Sequence, residues 1–544
     1  MHDADPARRQ AQEPAIARHA HGRSARSRLP EGGIAMRDVH IDRLVEIVGE
    51  RRCLWRPHQV KAYACDGYTA EEGLPRAVVF PESTDEVARI CRYLYENDIP
   101  YLPRGAGTGL SGGATPTGGE VVISLARMNK LLAVDFDNLR AVVQPGLVNL
   151  TLTRRVSHAD CYYAPDPSSQ SVCTIGGNFA ENAGGSHCLK YGVTTNHVVA
   201  AKVVLPDGDV IDVGAPFGDA PGYDLLGLLV GSEGTLGIAT EITVRILKKP
   251  QALRTALAYF DRVADASDTV TDIIGAGIIP AAIEMMDQLA MQAVDKSNYH
   301  VGYPTDIEAV LLIEVDGLAA GVDEVMARVV EICRRHRVRE VRVANSDAER
   351  ALWWSSRKMA FGAMGRISPD YIVQDGVIPR TRLTEVLQKI DEVSRRYGLK
   401  IANVFHAGDG NLHPLILYDS RVPGEAERAV RAGSEVLRAC VDAGGSITGE
   451  HGVGIEKIGE MAYMFSEDEI HAQRAVKSCF DPKGIVNAGK LIPLPGRCVE
   501  VKRAREIIEE NWQILNSFPD QAAVQARGAF VQEPGREAST SAQG

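Results

Sequence analysis

The stretch PRGAGTGLSGG, Pro103–Gly113, follows a short apolar segment and contains five glycines. Within it, Gly107, Gly109 and Gly112 match the G-x-G-x-x-G fingerprint of dinucleotide-binding folds. That fingerprint requires a helix that begins at the third glycine, but Ala-Thr-Pro-Thr-Gly-Gly follows here and cannot start one. The stretch therefore argues against a nicotinamide-binding Rossmann unit. It predicts either a merely tight loop or, as the favoured interpretation, a row of backbone N–H groups suited to a pyrophosphate.

Two further glycine clusters follow along the chain. The first is CTIGGNFAENAGGSHCLKYG (Cys173–Gly192), which is preceded by PDPSS (Pro165–Ser169), and the second is GSEGTLGI (Gly231–Ile238). One such loop is a weak signal. Three of them between residues 103 and 238 predict a backbone that wraps closely around an extended ligand.

The composition is that of a large globular protein. Its 544 residues are 45% hydrophobic and 24% charged, and 60 Lys and Arg against 71 Asp and Glu give a net charge of -11. An acidic chain without a concentrated basic stretch is a poor candidate for binding a nucleic-acid backbone. No apolar run reaches the roughly 18 residues of a membrane span. The ten cysteines include no C-x-x-C pair, which argues against an iron–sulfur cluster and favours reduced thiols in a cytosolic compartment.

Local patterns predict an α+β chain whose character changes near Leu253. Before that point the predicted elements are a helix after the capping box Ser83–Glu86, strands Ile99–Leu102 and Val121–Leu125, and hairpins Leu131–Gly146 and Ala201–Gly214. After it, apolar strands such as Val310–Val315 alternate with amphipathic helices such as Val322–Arg335.

The stretch NVFHAGDGNLHPLIL, Asn403–Leu417, indicates a second kind of chemistry. Asp409-Gly410 is a favoured dipeptide for a two-residue hairpin turn, and this turn would place His406 directly opposite His413. Opposed residues share one sheet face with Cβ atoms about 4.5–5.5 Å apart, so the two imidazoles could bind one metal ion. An incidental pair of histidines is the alternative interpretation.

The stretch SITGEHGVG, Ser446–Gly454, favours the metal site. Glu450 and His451 lie between glycines, which provides a carboxylate ligand and a base on backbone that can approach a cleft closely. Three protein ligands, His406, His413 and Glu450, would leave coordination positions open. Open positions are typical of a catalytic rather than a structural metal site.

Together these motifs resemble the FAD-linked oxidases of the vanillyl-alcohol-oxidase type. The three glycine clusters are similar to the flavin-binding half of that family, and HAGDGNLHP and GEHGVG are similar to the cap half of its D-2-hydroxy-acid dehydrogenase branch. The resemblance extends from Val39 to Pro493 with the motifs in the family's order. It implies an α+β fold with a two-part FAD-binding domain of the vanillyl-alcohol-oxidase (PCMH) type and an α+β cap domain built on an antiparallel sheet.

The expected domain organisation has five regions. They are a disordered N-terminal extension (1–35), the FAD-binding domain (36–250), the cap or substrate domain (251–480), a segment that returns to the FAD-binding domain (481–518) and a C-terminal tail (519–544). Both ends are polar and poor in large aliphatic side chains, which is why we expect them to lack stable structure.

The resemblance also implies which residues bind FAD. They are Pro103, Arg104, Gly105, Ala106, Gly107, Thr108, Gly109, Leu110, Ser168, Thr174, Gly177, Asn178, Gly184, Gly185, Gly234, Ile238 and Asn487. The first loop would lie against the pyrophosphate, the third near the adenine–ribose end, and Asn487 near the isoalloxazine. Some members of the superfamily attach the flavin covalently through a histidine in the first loop. Because that loop contains no His or Cys here, the expectation is non-covalent FAD.

The resemblance assigns His406, His413 and Glu450 to a divalent metal, zinc or manganese, and the choice stays open. His451 is then the candidate general base. An alcohol is too weak an acid for an imidazole of pKa ~6.5 to deprotonate alone. Metal coordination lowers the pKa of bound water from about 15.7 to about 7 and should act on a hydroxyl in the same direction. Arg357 matches the family's arginine for the substrate carboxylate, with a solvated helix arginine as the alternative.

The predicted activity is the oxidation of a small D-2-hydroxy acid. Relatives that oxidise D-2-hydroxyglutarate have polar contacts for a second carboxylate, but the matching positions here are Phe361, Val373 and Leu415. A second carboxylate would be unpaired and costly there. Glycolate, oxidised to glyoxylate, is therefore the leading substrate, and D-lactate, oxidised to pyruvate, is the close alternative. A non-catalytic flavin-binding subunit is the alternative from another class, although such subunits lose the His/His/Glu/His set of the cap.

Electrons must leave through a partner, since the chain has neither a nicotinamide fingerprint nor a ligand set for an iron–sulfur cluster. For glycolate-oxidising members the resemblance implies a second flavin-type subunit and an iron–sulfur subunit that passes electrons to membrane quinone. The expected location is the cytoplasm, with peripheral attachment to the inner membrane through those subunits left open.

Overall fold

The computed structural model describes residues 38–215, 217 and 221–493. The predictions for residues 1–35 and 519–544, and for the return segment beyond residue 493, lie outside these ranges. In the described part of the chain, no helix is both long and apolar enough to cross a lipid bilayer.

The first part of the chain is a small sheet flanked by helices. Its elements are α1 (Val39–Val48), β1 (Cys53–Leu54), α2 (Pro57–Val60), β2 (Ala77–Val79), α3 (Thr84–Glu96), β3 (Tyr101–Arg104) and β4 (Val121–Ser124). The strand order is β1-β2-β4-β3, with β4 parallel to both β2 and β3. Helix α3 begins as predicted, because the Ser83 side chain accepts a hydrogen bond from the Glu86 N–H. The Glu86 carboxylate, however, binds the guanidinium of Arg52 and does not close the predicted capping box.

The second part is a five-stranded antiparallel sheet. The elements here are β5 (Leu131–Asp135), β6 (Arg140–Val143), α4 (Asn149–Val156), β7 (Cys161–Tyr162), α5 (Ile175–Glu181), α6 (Cys188–Tyr191), β8 (Val198–Val204), β9 (Val210–Gly214), α7 (Leu225–Leu229), β10 (Ile238–Arg245) and β11 (Leu247–Lys248). The order is β5-β6-β10-β8-β9, in which β5–β6 and β8–β9 are the two predicted hairpins. Between Gly112 and β4 the chain forms no helix, in agreement with the argument against a Rossmann unit.

The third part is a nine-stranded sheet with helices on both faces. The elements are β12 (Ala252–Phe260), α8 (Val263–Gly275), β13 (Ala282–Asp287), α9 (Gln288–Asp295), β14 (Ala309–Gly317), α10 (Val322–Arg335), β15 (Glu340–Val343), α11 (Asp347–Lys358), α12 (Ala360–Ala363), β16 (Asp370–Val373), β17 (Gly376–Val377), α13 (Leu383–Tyr397), β18 (Lys400–His406), β19 (Asn411–Leu412), β20 (Pro414–Tyr418), α14 (Glu425–Asp442), α15 (Met461–Met464) and α16 (Glu467–Phe480). Most strands follow the order β15-β12-β14-β13-β18-β19-β17, and β20 pairs with both β16 and β18. The pairings are antiparallel, as expected for the cap.

The core of this part lies on both sides of the sheet. Along β12, Ala256, Ala258 and Phe260 belong to one buried cluster, whereas Leu257 and Tyr259 belong to another. Successive strand residues point to opposite faces, so a near-continuous apolar strand is the pattern of a sheet that is covered on both sides. Helices α8, α10, α13 and α14 contribute to the first cluster, and α9, α11 and α12 contribute to the second.

The hairpin that contains the two histidines differs from its predicted register. His406 pairs with Asn411 and is therefore not directly opposite His413. The turn spans four residues, 407–410, because Gly410 adopts a left-handed φ of 81° and donates its N–H to the His406 carbonyl. The register changes by two residues, an even number, so both histidines still point to the same face.

Residues that follow α16 pair with the first sheet. The Tyr101 N–H donates to the Ile485 carbonyl at 3.0 Å, and the Asn487 N–H donates to the Tyr101 carbonyl at 2.8 Å. These bonds place residues 485–487 beside β3, and therefore close to the glycine-rich loop that β3 leads into.

Candidate active site

A cavity of about 380 Å³ lies among the three glycine-rich loops. Fifteen of the seventeen residues predicted to bind FAD lie on its wall: Pro103, Arg104, Gly105, Ala106, Gly107, Thr108, Gly109, Leu110, Ser168, Thr174, Gly177, Asn178, Gly184, Gly234 and Ile238. The same wall contains His413, Glu450 and His451. The cavity therefore joins the predicted nucleotide loops to the predicted catalytic residues.

The first loop is held by side chains that point into the protein. Arg104 donates to the carbonyl oxygens of Cys65 and Ala114, both at 2.9 Å, and Asp66 accepts from the Ala114 N–H at 3.0 Å. Gly107 has a φ of 70°, a left-handed conformation that favours glycine. With these side chains turned inward, the backbone of the loop is left to form the cavity wall.

Close approach of these loops depends on the absence of side chains. A Cβ atom on Gly105 would lie 2.6 Å from Thr174 Oγ1, the oxygen that accepts from the Gly177 N–H at the start of α5. A Cβ atom on Gly113 would lie 2.8 Å from the carboxylate of Glu181. The loops thus form a cradle of backbone, which fits an extended dinucleotide such as FAD.

The two predicted cofactor residues that are not on the wall have other contacts. Asn487 is 2% exposed, and its amide donates to the carbonyl oxygens of Gly113 at 3.0 Å and Glu233 at 2.7 Å. Gly185 lies against Asp166, where a Cβ atom would be 2.5 Å from the carbonyl group. Asn487 therefore supports two wall residues from behind, and Gly185 permits close packing of the 165–169 segment.

The three predicted metal ligands converge beside the cavity, with His413 and Glu450 on its wall. His406 Nε2 and His413 Nε2 lie 3.2 and 3.3 Å from Glu450 Oε1. Atoms bound about 2.0–2.2 Å from one zinc ion in tetrahedral geometry are separated by about 3.3–3.6 Å. Both ring nitrogens of His413 are buried and have no hydrogen-bond partner among the described residues. The spacing, the donor types and these unpartnered nitrogens fit a divalent cation.

A carboxylate that the sequence patterns did not identify lies behind His406. Glu284 on β13 accepts from His406 Nδ1 at 2.8 Å. Burial would raise the pKa of Glu284, but Arg357 and His406 hold it below its ordinary value. Burial would likewise lower the pKa of His406, but Glu284 and Glu450 raise it well above its ordinary value. The bond at Nδ1 orients the ring so that Nε2 faces Glu450.

Arg357 lies next to this carboxylate and is not on the cavity wall. Its side chain is 3% exposed and forms an ion pair with Glu284 at 2.6 Å. The guanidinium predicted to bind the substrate's carboxylate forms this ion pair with a carboxylate of the protein, and its Nε is buried without a hydrogen-bond partner among the described residues. Lys358, the next residue along α11, does lie on the cavity wall.

A second carboxylate absent from the predictions organises the loop that carries Glu450 and His451. Asp375 Oδ2 accepts from the backbone N–H groups of Gly449, Glu450 and His451 at 2.8 to 3.0 Å. Its other oxygen lies 3.3 Å from His413 Nε2. Burial would raise the pKa of Asp375, but the imidazoles of His451 and His413 hold it well below its ordinary value. Asp375 therefore both shapes the loop and faces the ligand cluster.

His451 lies against the ligand cluster. Its ring stacks on that of His413 with the centroids 4.7 Å apart, and its Nε2 is 3.8 Å from Glu450 Oε1. Its Nδ1 is buried and has no hydrogen-bond partner in the described part of the chain. Burial, assisted by His413, lowers the pKa of His451 to about 4, so the ring is neutral near pH 7 and can accept a proton.

The two additional carboxylates leave a weak signal in the sequence. Both lie in apolar segments, AAIEMM for Glu284 and YIVQDGV for Asp375. A carboxylate in such a segment requires a buried partner, so it is a candidate for a functional role. The sequence does not identify the partner, because His406 lies 122 positions from Glu284 along the chain.

Two protein families match this chain. Residues 75–214 match the family described as FAD binding domain, and residues 249–491 match the C-terminal domain of FAD linked oxidases. With the relatives given next, these matches show that the chain belongs to the FAD-linked oxidases and is an FAD-dependent oxidoreductase, as the motifs predicted.

Three relatives indicate which kind of FAD-linked oxidase this chain resembles. The chain is 48% identical to glycolate oxidase subunit GlcD of Escherichia coli (strain K12), over 81% of this chain and 88% of that protein. It is 40% identical to the protein of the same name from Bacillus subtilis (strain 168), over 80% of this chain and 93% of that protein. It is 33% identical to D-lactate dehydrogenase of Anaerostipes hadrus, over 77% of this chain and 89% of that protein. The resemblance to the D-2-hydroxy-acid dehydrogenase branch is confirmed, and within that branch the chain is similar to the GlcD subunit of bacterial glycolate oxidase.

Solved structures confirm the fold. Substrate-bound p-cresol methylhydroxylase superposes with a TM-score of 0.71 at 17% identity, over 84% of this chain and 96% of that one. A 4-ethylphenol oxidase from Gulosibacter chungangensis superposes with a TM-score of 0.70 at 19% identity, over 84% of this chain and 97% of that one. These similarities support the predicted combination of a PCMH-type FAD-binding domain with an α+β cap.

Proposed function

We propose that this protein oxidises a small D-2-hydroxy acid, with glycolate as substrate and glyoxylate as product. The observation that carries the proposal is the convergence of His406, His413, Glu450 and His451, the last three of which line the cavity among the glycine-rich loops. The identity of 48% to the glycolate oxidase subunit supports the same substrate.

In this proposal a non-covalently bound FAD lies against the cavity wall. The loop from Pro103 to Leu110 would hold the pyrophosphate, and the backbone around Gly177 and Gly184 would hold the remainder. The chemistry that FAD supplies when bound is the acceptance of a hydride from the substrate's α-carbon. The glycines support this assignment, because a Cβ atom on Gly105 would lie 2.6 Å from Thr174 Oγ1 and one on Gly184 would lie 2.5 Å from Glu450 Oε2, so side chains there would push the loops apart.

In the same proposal His406, His413 and Glu450 hold a divalent metal, zinc or manganese. Such an ion would polarise the hydroxyl of the substrate, which makes the hydroxyl proton easier to remove. Glu284 fixes the orientation of His406 and so acts as a positioning residue. Arg357 is proposed to bind the carboxylate of the substrate, since its Nε is buried without a hydrogen-bond partner among the described residues. The buried, unpartnered nitrogens of His413 support this assignment.

His451 is proposed to accept the hydroxyl proton. Its Nδ1 is buried without a partner among the described residues, and the ring lines the cavity beside the ligand cluster. Neutral imidazole at this position can take a proton when the α-hydrogen leaves as hydride. The products are the 2-oxo acid, a protonated His451 and reduced flavin, so protons and electrons balance.

The apolar wall supports a small substrate. Phe361 lines the cavity and packs edge-on against His413, with ring centroids 5.8 Å apart. Val373 and Leu415 are 7% and 0% exposed in the apolar cluster behind it. A second carboxylate on the substrate would lose its hydration there without gaining a partner.

D-Lactate is the second candidate substrate, because the chain is 33% identical to a D-lactate dehydrogenase. D-Lactate differs from glycolate by one methyl group, and a methylene-sized difference in an apolar pocket changes specificity by about 10–200-fold. The same residues would act on both acids.

The proposal also includes partner subunits that accept the electrons. The relatives from Escherichia coli and Bacillus subtilis are named as subunits, which supports electron transfer to partner subunits. We propose a second flavin-type subunit and an iron–sulfur subunit, with quinone as the indirect acceptor. A cytoplasmic protein attached peripherally to the inner membrane through these partners would agree with this route.

Anaerobic titration of the purified FAD-bound protein tests the activity. Glycolate should bleach the flavin absorbance, D-lactate should do so with lower efficiency, and L-lactate should leave the spectrum unchanged. A flavin that stays oxidised with all D-2-hydroxy acids would contradict the proposal and favour a non-catalytic subunit. Faster bleaching by D-lactate than by glycolate would make D-lactate the first candidate substrate and glycolate the second.

A further inference from the structure

We propose that Glu181 carries a proton, held against the neighbouring carboxylate of Glu233, and that FAD binds the protein in this protonated form. Both side chains lie on the wall of the cavity among the glycine-rich loops. Neither residue was predicted from the sequence to contact the cofactor. The inference rests on the proposed placement of FAD in this cavity, and it does not depend on which hydroxy acid is the substrate.

Three carboxylates lie beside the first glycine-rich loop: those of Asp66, Glu181 and Glu233. A Cβ atom on Gly109 would lie 3.8 Å from Asp66 Oδ2 and 3.9 Å from Glu181 Oε1. A Cβ atom on Gly113 would lie 2.8 Å from Glu181 Oε1 and 3.7 Å from Glu233 Oε2. The same loop is proposed to hold the pyrophosphate of FAD, which is negatively charged. Three ionised carboxylates at this position would therefore repel the cofactor.

Two of these carboxylates have hydrogen bonds that stabilise a negative charge. Glu233 accepts from the backbone N–H groups of Val453 and Gly454, both at 2.7 Å. Asp66 likewise accepts from two backbone N–H groups, at 2.9 and 3.0 Å. Burial raises the pKa of both carboxyl groups, and these bonds oppose the rise. Hydrogen bonds of this kind favour the ionised form of a carboxyl group.

Glu181 lacks such donors. Its Oε2 atom is buried and has no hydrogen-bond partner among the described residues. A Cβ atom on Gly452 would lie 2.5 Å from this oxygen and 2.7 Å from Glu233 Oε1, so the two carboxyl groups are close neighbours. Two buried carboxyl groups that share a site do not both ionise readily, and the group without donors keeps the proton. Burial, followed by the charges of Glu233 and Asp66, raises the pKa of Glu181 well above its ordinary value.

Two lysines face the pair and favour its ionised form, but their hydrogen bonds go to other groups. The ammonium of Lys457 pairs with Glu456 at 3.3 Å and donates to a backbone carbonyl at 3.0 Å. The ammonium of Lys490 donates to the carbonyl of Gly113 at 3.0 Å, and burial lowers its pKa to about 8. Both lysines lower the pKa of Glu181, but their effect is smaller than that of burial and the two neighbouring carboxylates.

A neutral Glu181 removes one negative charge from the wall that the phosphates of FAD would face. Protonation and cofactor binding are then linked, because FAD binds the protonated protein more tightly than the ionised one. Since the pKa of Glu181 is raised, the proton is present at neutral pH and is lost only in alkaline solution. Above that pKa the affinity for FAD should fall, by at most about tenfold per pH unit.

The uncharged isostere Glu181→Gln tests the charge of this side chain. At neutral pH we expect the variant to bind FAD within about threefold of the unaltered protein, because a neutral group replaces a neutral group. In alkaline solution the variant should bind FAD more tightly than the unaltered protein, which alone acquires a charge. Fluorescence titration of the apoprotein with FAD measures both affinities. Binding by the variant that is already tighter by about tenfold or more at neutral pH would show that Glu181 is ionised and would overturn the inference.

Infrared spectroscopy detects the proton directly. The difference spectrum between the FAD-bound unaltered protein and FAD-bound Glu181→Gln cancels the bands of the flavin. At neutral pH it should contain the carbonyl stretch of one protonated carboxylic acid, shifted in D2O. The loss of an ionised carboxylate band in its place would overturn the inference.

The matched control is Glu392→Gln, which makes the same change at an exposed glutamate of α13 that pairs with Lys389. It should remove an ionised carboxylate band, and its affinity for FAD should equal that of the unaltered protein at every pH.

A second glycine variant separates this inference from the proposed placement of FAD. If Gly105→Ala and Glu181→Gln both leave FAD affinity unchanged at neutral and alkaline pH, FAD does not lie in this cavity. The placement then fails together with the linkage to FAD, and the infrared band still decides whether Glu181 carries a proton. If Gly105→Ala weakens FAD binding but Glu181→Gln removes an ionised carboxylate, only the inference fails. Flavin bleaching by glycolate tests the proposed activity independently of both results.

Discussion

At the scale of single residues, two histidines of the candidate active site have different environments. His406 is fixed from behind by Glu284 and faces Glu450, which suits a ligand. His451 stacks on His413 and retains an unpartnered Nδ1 among the described residues, which suits a proton acceptor. The difference arises from the neighbouring groups, since the side chains are chemically identical.

We predict that His451→Gln lowers turnover about 10²–10⁴-fold, the usual contribution of a positioned base. FAD and metal contents should be unchanged, because His451 is not among the proposed ligands. Stopped-flow flavin reduction measures the rate, and flavin and metal analyses measure the FAD and metal contents. Loss of flavin from this variant would instead indicate a structural role.

Removal of the metal tests the ligand assignment. Dialysis against a chelator should lower turnover while FAD stays bound, because none of the residues proposed to hold FAD is among the proposed metal ligands. Addition of Zn²⁺ or Mn²⁺ should restore turnover in the unaltered protein but not in Glu450→Gln. Full activity in protein shown by elemental analysis to lack metal would contradict the assignment.

At the scale of elements, the cofactor cradle depends on loops that approach one another without side chains. We predict that Gly105→Ala weakens FAD binding roughly 5–150-fold, because its Cβ atom would lie 2.6 Å from Thr174 Oγ1 and overpacking costs about 1–3 kcal/mol. Fluorescence titration of the apoprotein with FAD measures the affinity. The control is Gly275→Ala in α8, where nothing lies within 4 Å of the added atom. Unchanged FAD affinity in Gly105→Ala would argue that the first loop does not contact the cofactor.

A carboxylate between β16 and β17, that of Asp375, holds the backbone of the loop with Glu450 and His451. Asp375→Asn should lower metal affinity about 10–100-fold, because the neutral amide holds the N–H groups of the loop less strongly and releases Glu450 from its position. Competition with a chromogenic chelator measures the affinity. Asp323→Asn on the exposed surface of α10 is the control, with no change expected. Equal metal affinity of both variants would exclude a positioning role for Asp375.

At the scale of the whole molecule, a partly buried polar contact joins the glycine-rich part to the large sheet. His187 lies between Asp166, with Nδ1 to Oδ2 at 2.8 Å, and Glu314 on β14, with Nε2 to Oε1 at 3.4 Å. Glu314 also accepts from Arg350 and from the indole N–H of Trp354. Burial opposes protonation of His187, but the carboxylates of Asp166 and Glu314 raise its pKa to about 10.

This contact predicts a pH-dependent stability. Because the pKa of His187 rises from 6.5 to about 10 on folding, its contribution is complete below pH 6.5 and is lost as the pH rises toward 10. His187→Gln should therefore lower the free energy of unfolding by about 3–5 kcal/mol at pH 6.5, and by much less at pH 10. Urea unfolding at both pH values measures the difference, with the exposed His58→Gln as control. A difference that is the same at both pH values would contradict a charged His187.

Much of the local structure could be predicted from the sequence. Helix α10 spans Val322–Arg335 as predicted, because its apolar residues recur at the helical period and local spacing determines such a helix. The site motifs could also be identified, since closely spaced glycines indicate a loop that binds phosphate and closely spaced histidines indicate a metal site. The register of the histidine hairpin could not, because turn length depends on the contacts of Gly408 and Gly410 with distant residues.

The sequence alone therefore determined the class of protein, through motifs that resemble a known family, and the α+β architecture. It also provided candidates for the cofactor loops and the metal ligands, because each motif consists of neighbouring residues. Only the tertiary structure decided that Arg357 faces Glu284 while Lys358 faces the cavity, and that Asp375 holds the loop of His451. These pairings join residues that are far apart along the chain. Their geometry depends on how the sheets pack together, which no local pattern of residues specifies.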